Sequence, residues 1–305
     1  MRHSLGIVFF ALVLCGLVLG CQLQRNSEQL QLPARANETL RVATYNVHYI
    51  VMTAERGPWS LGDCDRRKGP LDSAFKAMSA DLVAFQEMES FARGSFNDTN
   101  LALDWLLEHN PDYAAAAVGP ADQFPSTQPI LYRKKRLAVQ DQGWFFFSET
   151  PDVIYARTYN GSYPAFASWV AFEDLSMKAR FRVVNVHTDF RSRSNRLQSV
   201  ELVAQRAEPW LGAGETVLVV GDMNARHGEK TLRILEDAGF TFAPVSGATY
   251  HFNRGLNLFG AIDHIGYAGA LAPAGEPVVL RQKFGGEWPT DHYPVLLDLK
   301  RKKPN

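Results

Sequence analysis

A succession of short apolar runs, each closing on a polar side chain, is the feature that most limits what this chain can fold into. Residues 40–47 alternate polar and apolar positions among β-forming side chains and read as an opening strand. Residues 81–85, 129–132, 137–147, 166–172, 181–187, 216–220 and 293–299 are strand-like too. Helical spacing is confined to fewer places. Leu71, Phe75 and Met78 fall on one helical face, and residues 101–109 form a helix closed by Asn110 and Pro111. Residues 194–210 carry Leu197, Val200, Leu202, Val203 and Trp210 on an apolar side, and residues 230–238 end before Gly239. Strands in succession with few long helices predict a mixed α/β protein with packed sheets, not a regular β–α alternation. No glycine-rich phosphate loop accompanies them.

A chain of 305 residues holds one large domain or two modest ones. Residues 40–299 contain no repeat, low-complexity block or long linker, so they read as one domain. With 46% apolar and 21% charged residues, disorder, collagen and coiled coil are excluded. Lys+Arg and Asp+Glu stand at 32 each, so no basic field exists to hold a nucleic acid by charge alone, although cleaving one stays open. Cys15, Cys21 and Cys64 make neither a disulfide framework nor a zinc site.

The N-terminus reads as an address. Residues 5–19 are an unbroken apolar stretch after Arg2, shorter than a comfortable membrane span and fitting a signal-peptide core. The stretch runs into Val18-Leu19-Gly20-Cys21, which resembles a bacterial lipobox. That resemblance implies cleavage after Gly20 and a lipidated Cys21. The divisions expected are a signal peptide at 1–20, a lipidated Cys and flexible tether at 21–39, the domain at 40–299 and a basic tail at 300–305. The expected location is the cell envelope, lipid-anchored, with Gln22 leaning towards the outer membrane, and the expected state is a monomer.

Polar residues where strands stop carry the chemistry. The runs end in Asn46, in Gln86-Glu87, in Asn185 with His187 and Asp189, in Asp222 with Asn224, and at Asp291-His292. A carboxylate or amide there is costly unless it points into a shared polar site or binds a cation. Each alone has an ordinary structural explanation; five in chain order argue that these ends converge. Glu87, Asp222 and Asp291, with the amide oxygens of Asn46 and Asn224, suit Mg²⁺ or Mn²⁺ rather than zinc. His187 and His292 supply proton transfer or hydrogen bonds to phosphoryl oxygens. Asp263, in Ala-Ile-Asp-His-Ile, is suited to hold an imidazole in one tautomer, and by alternation His264 faces away and is structural. Alternation also puts Asp222 and Asn224 on one face, with Gly221 allowing close backbone approach. The set describes metal-assisted attack of water on phosphorus. Arg191, Arg193 and Arg196 open a helix after His187, where Arg196 is expected to meet a phosphate chain. Residues 133–136 read as a solvated hairpin tip and residues 144–147 as core.

Six segments resemble the endonuclease/exonuclease/phosphatase superfamily in order and spacing. They are Arg41-Val-Ala-Thr-Tyr-Asn46-Val, Phe85-Gln-Glu87, Val184-Asn-Val-His187-Thr-Asp189, Val220-Gly-Asp222-Met-Asn224-Ala, Ala261-Ile-Asp263-His-Ile and Thr290-Asp291-His292-Tyr-Pro-Val. The resemblance implies a four-layered α/β sandwich, two packed mixed sheets flanked by helices, with the site at one sheet edge. It implies metal ligation by Asn46 and Glu87 with Asp291 close by. Asp222 and Asn224 then position the attacking water or a second metal. His292 paired with Asp263 serves as base or phosphate holder, and His187 stabilises the transition state. Asn185 and Asp189 orient their loop. Ala165 stands where many relatives carry an arginine. The function implied is a Mg²⁺-dependent phosphoric ester hydrolase, a phosphodiesterase or nuclease acting on a phosphate ester such as a nucleic acid. The alternatives are a phosphomonoesterase, a lipid phosphodiesterase, or a catalytically silent surface-binding lipoprotein.

Overall fold

The computed structural model describes residues 2–25, 32, 34, 38–92, 99–125, 127–161, 163 and 165–302. In chain order these form α1 (Arg2–Arg25), β1 (Leu40–Asn46), β2 (Ile50–Val51), α2 (Leu61–Met78), β3 (Leu82–Gln86), β4 (Ser90–Phe91) and α3 (Leu101–His109). Then come β5 (Tyr113–Ala116), β6 (Ile130–Arg133), β7 (Leu137–Phe146), β8 (Phe166–Asp174), β9 (Ala179–His187) and α4 (Arg193–Gly212). The chain finishes with β10 (Val217–Asp222), α5 (Lys230–Asp237), β11 (Thr241–Phe242), β12 (Asp263–Ala268), β13 (Leu271–Pro273), β14 (Val278–Val279) and β15 (Val295–Arg301).

The strands make two large mixed sheets and a small parallel pair, β2 with β4. The first sheet runs β13-β15-β1-β3-β6-β5 with β14 on β15; the second runs β11-β12-β10-β9-β8-β7. Strand alternation sorts side chains into layers. Leu40 and Val42 of β1 face Val183, Leu218 and Val220 in the core between the sheets. Ala43 and Tyr45 of the same strand face Leu71, Phe75 and Met78 of α2 and Leu103 and Leu106 of α3. On the far side, Val184, Val186, Val217 and Val219 pack against Val200 and Val203 of α4 and Leu232 and Leu235 of α5. This is the expected sandwich: helix, sheet, sheet, helix.

Both sheets repeat one pattern. β15 is antiparallel to β1, β1 parallel to β3, and β3 antiparallel to β6. Likewise β12 is antiparallel to β10, β10 parallel to β9, and β9 antiparallel to β8. A buried amide pair joins the sheets near their shared edge. Gln86 Nε2 donates to Asn185 Oδ1 (2.7 Å), and Asn185 Nδ2 donates to the carbonyl oxygens of Phe85 (2.8 Å) and Gln128 (3.2 Å). Without Gln86 the buried Asn185 Oδ1 would lose its hydrogen-bond donor, so the pair fixes how the ends of β3 and β9 sit.

One expectation, the hairpin tip, is corrected. Residues 134–136 form a turn, but it carries the chain from β6 in one sheet to β7 in the other, so it is no hairpin tip. Arg136 there bonds Asp174 Oδ2 through Nε (3.0 Å) and Nη2 (2.8 Å), pinning the crossing. Of the basic residues expected as a tail, Lys300 and Arg301 pair with Ala272 and Leu271 as the end of β15; residues 303–305 lie outside the described residues. Cys21, exposed, belongs to the continuous helix α1, and most of the expected 21–39 tether lies outside the described residues. Among the described residues no helix is long and apolar enough to cross a membrane. Of residues 144–147, expected as core, Phe145, Phe146 and Phe147 are buried and Trp144 is half-buried.

Candidate active site

The strand ends do converge. In the second sheet, Asp222 at the end of β10 is in register with His187 at the end of β9 and with Asp263 at the start of β12, so three side chains share one row. In the first sheet, Asn46 ends β1 opposite Gln86 of β3. Glu87 follows in a left-handed backbone conformation (φ 54°), which ends the strand. The segment holding Asp291 and His292 precedes β15, beside β1. The sandwich thus brings both sheets' polar ends to one edge.

Asn46 is the hub. Its Nδ2 donates to Glu87 Oε1 (3.0 Å) and to Asp222 Oδ2 (3.2 Å), crossing from one sheet to the other. His187 Nε2 lies 3.7 Å from the same two oxygens. His292 Nδ1 bonds Asp263 Oδ2 (2.9 Å), and its Nε2 stands 3.8 Å from Asp222 Oδ2. Asp263 therefore fixes the ring, leaving Nε2 towards the cluster, the role sequence reasoning gave it. Burial pushes the Asp222 carboxyl up and the Asp263 charge adds to it, against the pull of His292 and His187. For His292 burial acts to lower the pKa, but the charge and hydrogen bond of Asp263, helped by Asp222 and Asp291, carry it well above the usual imidazole range. The imidazolium form is the stable one beside that carboxylate.

Several side chains sit differently from the sequence expectation. β10 ends at Asp222, and Asn224 lies beyond it with φ 43°, so alternation does not reach it. Its backbone N–H donates to Asp222 Oδ1 (2.9 Å) and its Nδ2 to Thr188 O (2.9 Å), so it braces Asp222 and the loop after β9. Arg196, expected to meet a phosphate chain, donates from Nη1 to the carbonyls of Asp189 (3.0 Å) and Phe190 (3.3 Å). A guanidinium near unsatisfied loop carbonyls is drawn to them first. Asp189 accepts from the N–H groups of Arg191 (2.8 Å) and Ser192 (2.7 Å), the loop-orienting role expected. Asp291 is buried with Thr290 Oγ1 at 3.2 Å, and its charge is felt by His48, Tyr250 and His292. His264 is buried with Nε2 donating to Ala225 O (2.9 Å), the structural role expected.

The donor set fits a hard cation. Glu87 and Asp222 direct oxygens at one point beside the Asn46 amide, and among the described residues no lysine or arginine pairs with Glu87, Asp222 or Asp263. Asp263 Oδ1 is buried without a hydrogen-bond partner. Asp222, Asp263 and His292 approach closely enough to hold an ion together, but Asp263 Oδ2 and His292 Nδ1 are already bonded to one another. The place at Glu87 beside Asn46 suits the ion better, provided the amide turns its Oδ1 there in place of the Nδ2 group that faces the acids here.

The sequence matches the Endonuclease/Exonuclease/phosphatase family over residues 43–292. The chain belongs to that family. None of the curated proteins matches it. Among solved structures, a mannosyl-6-phosphatase from Bacteroides thetaiotaomicron is 22% identical with a TM-score of 0.72, over 85% of this chain and 99% of that one. An endonuclease/exonuclease/phosphatase from Bacteroides vulgatus has the same identity and TM-score, over 87% and 99%. TDP2 from D. rerio, complexed with a single-strand DNA product, is 14% identical with a TM-score of 0.58, over 87% and 100%.

Within this family member, sequence reasoning missed two supports. His48 donates its backbone N–H to Asn46 Oδ1 (3.1 Å), which turns the amide nitrogen towards the acids, and its ring stacks on Trp59 (4.5 Å, 7°). Its place two residues past Asn46 was the available signal. Arg67, buried on α2, donates from Nη1 to the carbonyls of Pro289 (2.8 Å) and Val47 (3.4 Å), tying the end of β1 to the Asp291-His292 segment. An arginine on a polar helix gives no such signal.

Proposed function

We propose that this chain is a divalent-metal-dependent phosphoric ester hydrolase with Mg²⁺ or Mn²⁺ as cofactor, and that its substrate is a phosphodiester, a nucleic acid among them. The convergence of Asn46, Glu87, His187, Asp222 and the Asp263–His292 pair carries this reading. Glu87, Asp291 and Asn46, the last through Oδ1 with its amide turned from the acids, would hold the metal, which would supply charge neutralisation and polarisation of a phosphoryl oxygen. Asp222 orients the attacking water, with Asn224 bracing it. His292, oriented by Asp263, hydrogen-bonds a phosphoryl oxygen through Nε2, and His187 stabilises the charge that develops in the transition state.

The purified protein is expected to hydrolyse bis(p-nitrophenyl) phosphate with Mg²⁺ or Mn²⁺, and excess EDTA to return the rate to background. Turnover that survives EDTA would remove the metal from the scheme. A phosphomonoesterase is the second reading, favoured by the structural likeness to a mannosyl-6-phosphatase; p-nitrophenyl phosphate cleaved faster than the diester decides for it.

The lipobox-like residues 18–21 support anchoring in the cell envelope through Cys21, and the exposed apolar Ile7, Phe9, Phe10, Leu12 and Leu17 of α1 support the signal-peptide core that would precede cleavage. Labelled palmitate supplied to expressing bacteria should enter the protein and fail to enter Cys21→Ser; equal labelling of both would refute the anchor.

A further inference from the structure

An exposed aromatic strip runs outward from His292. Tyr250 packs its ring on His292 (5.0 Å between centroids, 55° tilt), Phe252 lies on Tyr250 (4.3 Å), and Phe259 on Phe252 (5.9 Å). The Arg226 guanidinium sits 5.8 Å from the Phe259 centroid, two residues beyond Asn224. The strip therefore begins on the active site and ends on the loop that follows Asn224. Its outer members are open: Phe252 is 38% exposed, Leu258 57% and Phe259 49%. Exposed apolar clusters of this kind mark binding surfaces.

The backbone holds the strip in place. Tyr250 bridges to His292, His251 N donates to Asp291 O (2.8 Å), and Tyr293 N to Thr249 O (2.7 Å), so residues 249–251 are laced to the catalytic segment. Phe252 and Asn253 both adopt left-handed conformations (φ 58° and 54°). For a bulky aromatic that backbone is strained, and surroundings must impose it. Here it presents a ring to solvent beside the chemistry, where burying it would have gained stability.

We propose that this strip is a subsite for a planar aromatic ring in the substrate, a nucleobase or an aryl group, on the part that stays beyond the phosphorus; the proposal rests on the phosphoesterase reading above. The rings tilt against one another by 55–58°, which leaves faces free to stack. The guanidinium at the far end adds a flat cationic surface that favours a π-system. Two exposed rings match the area of one base rather than the length of an acyl chain.

Two esters with the same leaving group test it: thymidine 5′-(p-nitrophenyl phosphate) and methyl p-nitrophenyl phosphate, each assayed with Mn²⁺. The thymidine ester is expected to exceed the methyl ester in kcat/KM by roughly five- to a hundredfold, the range base–aromatic stacking gives. In the Phe252→Ala/Phe259→Ala variant that ratio should fall towards one, while Phe252→Tyr keeps most of it. A wild-type ratio near one, or a ratio that survives in the double alanine variant, overturns the inference and leaves the hydrolase standing. So does an equal advantage for the glucose 6-(p-nitrophenyl phosphate) diester, which offers a sugar without a base. No turnover of either ester would remove the phosphodiesterase reading, and this inference with it.

Discussion

His292→Ala lowers kcat for metal-supported phosphoester hydrolysis by roughly two to four orders of magnitude, the span expected for loss of a positioned acid–base group. Three features of the ring explain a loss of this size. Its Nδ1 is fixed by Asp263 Oδ2 at 2.9 Å, its Nε2 faces Asp222 at 3.8 Å, and both acids are buried. No neighbour can take over, because His187 already stands between Glu87 and Asp222. The variant also leaves Asp263 buried with neither oxygen satisfied, at a cost of about 1–3 kcal/mol, so its melting temperature should fall while its far-UV spectrum stays native. Asp263→Asn separates the two effects: a hydrogen bond can persist, the charge that keeps the ring protonated cannot, and kcat should still drop. A His292→Ala protein that keeps more than a tenth of the wild-type kcat would show that the ring does not serve the reaction.

Gly221→Ala should prevent accumulation of the folded protein. The backbone there has φ 140°, a region costly for any residue with a Cβ. The added methyl would also overlap the Val186 carbonyl oxygen on the neighbouring strand β9. That oxygen belongs to the sheet ladder and cannot step aside without breaking it. Strain of this kind exceeds about 4 kcal/mol, the exceptional end of single substitutions, against a total stability of about 5–15 kcal/mol. Soluble yield and thermal melting check it; a melt within two or three degrees of wild type would show that the β9–β10 pairing tolerates a side chain there (about 2–4 °C is the shift expected of a loss of only 1 kcal/mol in a chain this long).

The sheets were readable because period-two alternation is a local property. Val42 and Ala43 take opposite faces whatever the rest of the chain does, and the polar residues at Asn46, Glu87, His187, Asp222 and Asp291-His292 stood out against apolar runs. What escaped depends on the third dimension. Residues 133–136 look like a hairpin because two strands flank them, yet which sheet the second strand joins is decided by packing. Arg196 looked free because its partners, the Asp189 and Phe190 carbonyls, are backbone groups that no side-chain pattern displays. Arg67 was hidden for the same reason. Asn224 failed the alternation argument because β10 ends two residues before it.

The pairing of Leu40 with Leu299 has a consequence for how the protein is made. The second sheet is one continuous stretch of chain, but the first is closed by its earliest strand meeting its last. A ribosome has therefore released nearly the whole polypeptide before β1 acquires its antiparallel neighbour and Asn46 its final position. A message cut short after His292 would encode every group assigned to the reaction and still yield an inert product, with a bare strand edge open to self-association.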